Sequence, residues 1–203
     1  MLKSAFGKQL QPFSAFAGAF FAKLGIPPNV WTLATLVFAV PGAVALYKRN
    51  LLLGLALFLI SGVIDFIDGA VARATKKTSH FGAFLDGVAD RYVEFLLYIG
   101  LWLYIQDQPS FLISNAVWIM LLLFGALMPS FIRAYAHHKK AVTKPNALEK
   151  KGGLLERSER LDLIYLGMAF GYFNATYLIY AIAVVAVLSN FTALQRICFV
   201  ASR

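Results

Sequence analysis

The chain has 203 residues, of which 60% are hydrophobic and only 14% charged. With a mean hydropathy of +0.69 it is too apolar for an ordinary soluble domain and belongs in lipid. The formal charge of +9 is read as cytoplasmic loops and anionic headgroups rather than nucleic acid, and the single cysteine, Cys198, excludes an internal disulfide and multi-cysteine metal sites.

From Leu2 to Leu24, Phe6, Leu10, Phe13, Phe16, Phe20 and Phe21 recur at helical spacing beside Lys3, Lys8 and Gln11. This pattern predicts an amphipathic helix lying in the membrane interface. Lys8, Gln9 and Gln11 break the apolar stretch and no convincing cleavage site follows, so the segment is expected to remain in the mature protein. Gly25, Ile26, Pro27, Pro28 and Asn29 interrupt the pattern. A first span is then expected over Val30–Tyr47, a second over Leu51–Ala72, a third over Phe81–Ile105 and a fourth over Leu112–Tyr135. A basic loop, Ala136–Arg160, is the one candidate mobile segment. Two final spans are expected over Leu161–Phe173, starting inside that loop, and Tyr177–Arg196.

The expected fold is an all-α integral membrane protein of six transmembrane helices, residues 30–196, preceded by the interfacial helix of residues 1–24 and forming one domain over 1–203. Lys3, Lys8, Lys23, Arg73, Lys76, Lys77, Arg196, Arg203 and the basic residues of the long loop fall on one face, against Lys48 and Arg49 on the other. The positive-inside bias therefore predicts a multi-pass protein of the cell membrane with its termini and its second-to-third loop in the cytoplasm.

Four of the six aspartates, Asp65, Asp68, Asp86 and Asp90, lie within 26 residues at the facing ends of the second and third spans. An ionised carboxylate at a helix centre in hydrocarbon costs about 2.5–3.5 kcal/mol even on insertion scales, so intramembrane acids face polar cavities and carry function. Spacings of three and four put each pair on one helix face. Four carboxylates gathered this way repel one another unless a cation lies between them, and an all-oxygen set suits Mg²⁺ or Mn²⁺. Gly62, Gly69, Ala70, Ala72, Gly82, Ala83, Gly87 and Ala89 fit simple helix packing or make room for a ligand. Arg73 fits either a snorkelling anchor or a phosphate contact, and beside a metal cluster the phosphate reading is the better one. A cation transporter also buries aspartates, but it places them at the midplane between broken helices. An aspartyl protease needs two acids and leaves Arg73 unexplained. His80, His137 and His138 read as interfacial polar residues.

The run Asp65-x-x-Asp68-Gly69-x-x-Ala72-Arg73, eight further residues, then Gly82-x-x-x-Asp86-x-x-x-Asp90 resembles the full signature of the CDP-alcohol phosphotransferases, membrane enzymes of phospholipid synthesis. The resemblance implies that Asp65, Asp68, Asp86 and Asp90 bind metal, as two ions, and that Asp90 is also the base. It implies that Pro28, Asn29, Val30, Trp31, Gly69, Arg73, Ser79 and Gly82 border a CDP-lipid donor, and that the protein is a homodimer. Glu94 lies outside the signature and is expected to support or pack.

Ser130, Arg133, Arg157, Arg160, Gln195 and Arg196 all fall at the expected cytoplasmic ends of the last three spans. Anchoring at the interface and binding of a second phosphate fit them equally well. Ser130-x-x-Arg133-Ala134 and Glu156-Arg157-Ser158-Glu159-Arg160 resemble segments of the inositol-phosphate-using members, some of which carry lysine where Arg133 stands. The implied reaction transfers a diradylglycerol phosphate from CDP-lipid to inositol phosphate and releases CMP. Glycerol phosphate or serine are the alternative acceptors.

Overall fold

The computed structural model describes residues 2–142 and 153–202, with side chains from residue 11 onward. Lys144, Lys150 and Lys151 of the basic loop, Arg203, and the side chains of Lys3, Phe6, Lys8 and Leu10 lie outside the described residues. Seven helices form the described chain: α1 Leu2–Ala22, α2 Pro28–Tyr47, α3 Leu51–Ala74, α4 His80–Ile105, α5 Asn115–His138, α6 Arg157–Gly171 and α7 Ala175–Ala201. Among them α2, α3, α5 and α7 are long and apolar enough to cross a bilayer. α4 has 26 residues but carries Asp86, Asp90, Arg91 and Glu94, and α6 has only 15.

The chain divides into two compact units, Met1–Tyr104 and Ile105–Arg203. In the first, α2 opens with Pro28 in its first turn after an extended Pro27. There the missing proline N–H is no loss, and its fixed φ suits a helix start. Asn50 caps α3 by accepting from Leu53 N at 3.1 Å. α2 and α3 pack through small residues: a Cβ on Gly42 would sit 3.0 Å from Phe58, and one on Gly54 would press on Leu46. α4 joins them where Gly100 lies against Ala43 and Leu46. α1 runs along α3, and a Cβ on Gly18 would collide with the Ala70 carbonyl oxygen. Phe13 stacks on Phe66 with ring centroids 5.9 Å apart, yet it is largely exposed, as are Phe16 and Phe20.

In the second unit α7 is the common partner. Asn190 Nδ2 donates to Leu121 O at 2.8 Å, beside the close approach of Gly125 to Ser189 and Asn190. Gly167 of α6 meets Ala181. α5 begins at Asn115, three residues later than the expected Leu112. Ser114 is its cap, and Leu112 takes a left-handed φ of 59° within a small turn that pairs Phe111 with Ile113. α7 continues past the expected Arg196 to Ala201 because no breaker interrupts Ile197–Val200.

Three helices end alike. Arg49, Lys76 and Lys140 have φ of 62°, 54° and 55°, and the next N–H returns to a carbonyl of the last turn: Asn50 to Ala45 (2.9 Å), Lys77 to Ala72 (3.1 Å) and Ala141 to Ala136 (2.9 Å). These are left-handed C-caps in which a basic residue stands where glycine is usual.

Candidate active site

α3 and α4 run antiparallel on either side of the Thr75–Ser79 turn, which brings their acidic ends together. Asp65, Asp68 and Asp86 each offer a carboxylate oxygen, and the three oxygens lie within 4.8 Å of one another. Asp68 is almost fully buried, while Asp65 and Asp86 are half-buried. A set of hard oxygen donors this close fits a divalent cation, which removes the repulsion among them. Asp90 follows Asp86 by one turn on α4, is half-buried, and is not one of this trio.

Beside the acids is a cleft lined by Pro28, Asn29, Thr32, Asp68, Gly69, Ala72, Arg73, Lys77, Thr78, Ser79, Gly82, Ala83 and Asp86. It gathers six of the eight residues expected around a nucleotide. Val30 is half exposed and Trp31 packs edge-on against Phe21, centroids 5.5 Å apart, so neither lines the cleft. Ser79 caps α4 by accepting from Gly82 N at 2.9 Å. A Cβ on Gly82 would come within 3.1 Å of Ser79 Oγ and 3.3 Å of Asn29 Oδ1, so glycine keeps this wall thin. Over Gly69 the Arg73 guanidinium folds back, 3.2 Å from where a Cβ would be. Its Nη2 donates to Ser14 Oγ of α1 at 2.9 Å.

Four contributors escape a sequence reading. Thr32 donates to Asp68 Oδ2 at 2.7 Å. Lys77 and Thr78 reach the cleft because the left-handed Lys76 turns the chain toward it. Ser14 touches Arg73 from a helix 59 residues away. Glu94, already expected to support or pack, is 1% exposed and pairs with Arg91 at 2.6 Å, a contact that the i, i+3 spacing of opposite charges signals.

The expected second-phosphate residues belong to the other unit. Arg196 Nη1 donates to Pro129 O at 2.7 Å, which brings the end of α7 against α5 next to Ser130. Leu154 N donates to Gln195 Oε1 at 3.1 Å and Leu155 N to Thr192 Oγ1 at 3.0 Å, so the chain entering α6 is clasped to the same stretch of α7. Glu159 closes the start of α6 by accepting from Glu156 N at 3.0 Å. Arg157 is half-buried, Arg160 is 2% exposed and Arg133 is exposed. Arg157 and Arg196 thus come from elements joined around one end of α7, with Ser130 beside the Arg196 contact.

Residues 26–200 match the family described as CDP-alcohol phosphatidyltransferase. The chain belongs to that family. It is similar to the archaetidylinositol phosphate synthase of Methanothermobacter thermautotrophicus, with 31% identity over 89% of this chain and 86% of the relative. It is similar also to the phosphatidylinositol phosphate synthase of Mycolicibacterium smegmatis, with 29% identity over 97% and 86%. Among solved structures it resembles the phosphatidylinositol phosphate synthase of Mycobacterium tuberculosis with CDP-DAG bound, at TM-score 0.77 and 25% identity over 92% of each chain. As a CDP-alcohol phosphatidyltransferase it is a transferase of phospholipid biosynthesis built on membrane helices, with an aspartate cluster that suits a divalent metal.

Proposed function

We propose that the protein transfers a diradylglycerol phosphate from a CDP-lipid to a hydroxyl of inositol phosphate and releases CMP. The observation that carries this reading is the convergence of Asp65, Asp68 and Asp86 beside a cleft walled by Asn29, Gly69, Arg73 and Gly82. The donor assignment is supported by the similarity to a synthase that holds CDP-DAG. The acceptor assignment is supported by relatives that are named inositol phosphate lipid synthases and by the arginines around the end of α7.

Asp65, Asp68, Asp86 and Asp90 would hold Mg²⁺ or Mn²⁺, as two ions. When bound, the metal offsets charge on the diphosphate and on departing CMP. Arg73 and Lys77 add positive charge to the cleft wall and orient the diphosphate. Asp90 accepts the proton of the incoming hydroxyl. The hydroxyl oxygen bonds to the phosphorus that carries the lipid as the bond from that phosphorus to the CMP oxygen breaks, and the electron pair leaves with CMP. Arg133, Arg157, Arg160 and Arg196, with Ser130, would hold the acceptor's phosphate.

The whole chain acts as one domain in this reading, since the family match runs through both units. α2–α7 serve as six spans and α1 lies in the interface, its exposed Phe16 and Phe20 in lipid. The basic residues hold the termini and the active site at the cytoplasmic face of the cell membrane, and the protein works as a homodimer. CMP release by the purified protein from CDP-lipid, with each candidate acceptor and with or without Mg²⁺, tests the proposal. Metal-dependent turnover with inositol phosphate is expected. Turnover with glycerol phosphate or serine and none with inositol phosphate overturns the acceptor assignment and leaves the donor assignment standing.

A further inference from the structure

Thr32 and Asp68 come from different helices, are 4% and 5% exposed, and meet at 2.7 Å. A threonine inside a helix ordinarily turns its hydroxyl back to the carbonyl one turn earlier. Thr32 has that option, but Pro28 O lies at 3.3 Å, and the single hydroxyl proton is better placed on the carboxylate. The distance is that of a charge-assisted O–H···O⁻ bond. Thr35, three residues on, does bond its own helix, donating to Thr32 O at 2.6 Å. Ser61 of α3 donates to Thr35 O at 2.9 Å. Ser61 stands two turns before Asp68, so these hydroxyls pin α2 on α3 at two levels and fix where the Thr32 hydroxyl sits.

We infer that Thr32 is a positioning residue: its hydroxyl holds the Asp68 carboxylate in the orientation that completes the Asp65–Asp68–Asp86 set. Because Thr32 lies one turn after Pro28 and Asn29, it ties that orientation to the helix start that borders the nucleotide cleft. The inference rests on the metal-dependent reading above. Without the hydroxyl the Asp68 carboxylate loses the bond that fixes its orientation and is free to turn away from the set. Groups of this kind, which orient a ligand without touching the metal, typically change metal affinity 10–100-fold when removed. A plain helix-packing role makes a different forecast, a loss of thermal stability at unchanged metal affinity.

The test is Mn²⁺ titration of the purified full-length chain, with free Mn²⁺ followed by electron paramagnetic resonance and the thermal midpoint measured in parallel. Thr32→Val is expected to weaken Mn²⁺ binding about tenfold or more, and Thr32→Ser, which keeps the hydroxyl, to stay within about twofold of wild type. Thr35→Val, in the same interface but without a carboxylate partner, is expected to lower the thermal midpoint and leave Mn²⁺ affinity unchanged. Wild-type affinity in Thr32→Val, whatever its stability, overturns the inference. Thr32→Cys, whose thiol is a weak donor, is titrated alongside and carries the same comparison should the valine variant not fold. Wild-type protein that binds no Mn²⁺ overturns the metal reading itself and Thr32's role with it, an outcome distinct from a failure of Thr32 alone.

Discussion

Arg73 Nη2 donates to Ser14 Oγ at 2.9 Å, so a signature residue of the cleft is held by the N-terminal helix. Removing the hydroxyl frees the guanidinium to swing off Gly69 toward solvent. A net hydrogen bond of about 1 kcal/mol corresponds to roughly fivefold in affinity. Ser14→Ala is therefore expected to raise KM for CDP-lipid by about that factor with little change in kcat, and Ser14→Thr to restore it. In an Arg73→Ala background the Ser14→Ala change is expected to add nothing. An effect undiminished there would show that Ser14 acts elsewhere.

Asp68 and Asp90 are expected to fail differently. Asp90→Asn keeps the shape of the site and removes the proposed base together with a metal ligand outside the trio, so kcat is expected to fall about 10²–10⁴-fold, with CDP-lipid binding preserved and a smaller shift in metal saturation than in Asp68→Asn. Asp68→Asn removes a donor from the trio, and saturation with Mg²⁺ or Mn²⁺ shifts to higher concentration. Chelation of the wild type is expected to abolish CMP release and added Mg²⁺ to restore it. Steady-state kinetics over a metal titration separate the two variants.

Glu94 lies at the centre of α4 with its partner Arg91 next to Asp90. Breaking a buried pair leaves a charge without its intended partner, typically at about 3–5 kcal/mol, and at the lower end here because Arg91 is only partly buried. Glu94→Ala is expected to lower the thermal midpoint by several degrees. Glu94→Asp, with its shorter reach, should lie between alanine and wild type.

Arg133 is exposed on α5, so its removal tests the proposed acceptor site. Charge-assisted hydrogen bonds contribute about 1.5–3 kcal/mol. Arg133→Ala is expected to raise KM for inositol phosphate about tenfold or more and to leave KM for CDP-lipid unchanged. Equal change in both constants would remove Arg133 from the acceptor site.

The acids were legible in sequence because carboxylates are rare in apolar helices and their spacing of three and four has one helical meaning. The starts of α2, α3 and α4 were legible from Pro28, Asn50 and the polar run ending at Ser79. The start of α5 was misplaced because Leu112 looks like helix, although Ser114 was available as a cap. Thr32 could not be found: a threonine in an apolar helix fits packing equally well, and its partner lies 36 residues away. Ser14 was hidden for the same reason, since the exposed aromatic face of α1 announces lipid but not which side chain its other face touches. The basic residues around α7 were recognisable as cations, whereas Thr192 and Gln195, which clasp the chain entering α6, bond to backbone N–H groups and leave no side-chain pattern to read.

Arg49, Lys76 and Lys140 join two functions that could have been kept apart. Each closes a helix in a conformation that glycine adopts without strain, and each is also a charge in the inside–outside bias of the chain. Glycine at Lys76 or Lys140 would preserve or improve the turn, whereas at Arg49 it would also remove the bond that the guanidinium donates to Tyr104 O. Lys76→Gly and Lys140→Gly would at the same time erode the signal that orients the chain, while Arg49→Gly would sharpen it. A mutational survey scored on stability alone would thus rate Lys76→Gly and Lys140→Gly as neutral although they weaken the charge bias on which the proposed orientation rests.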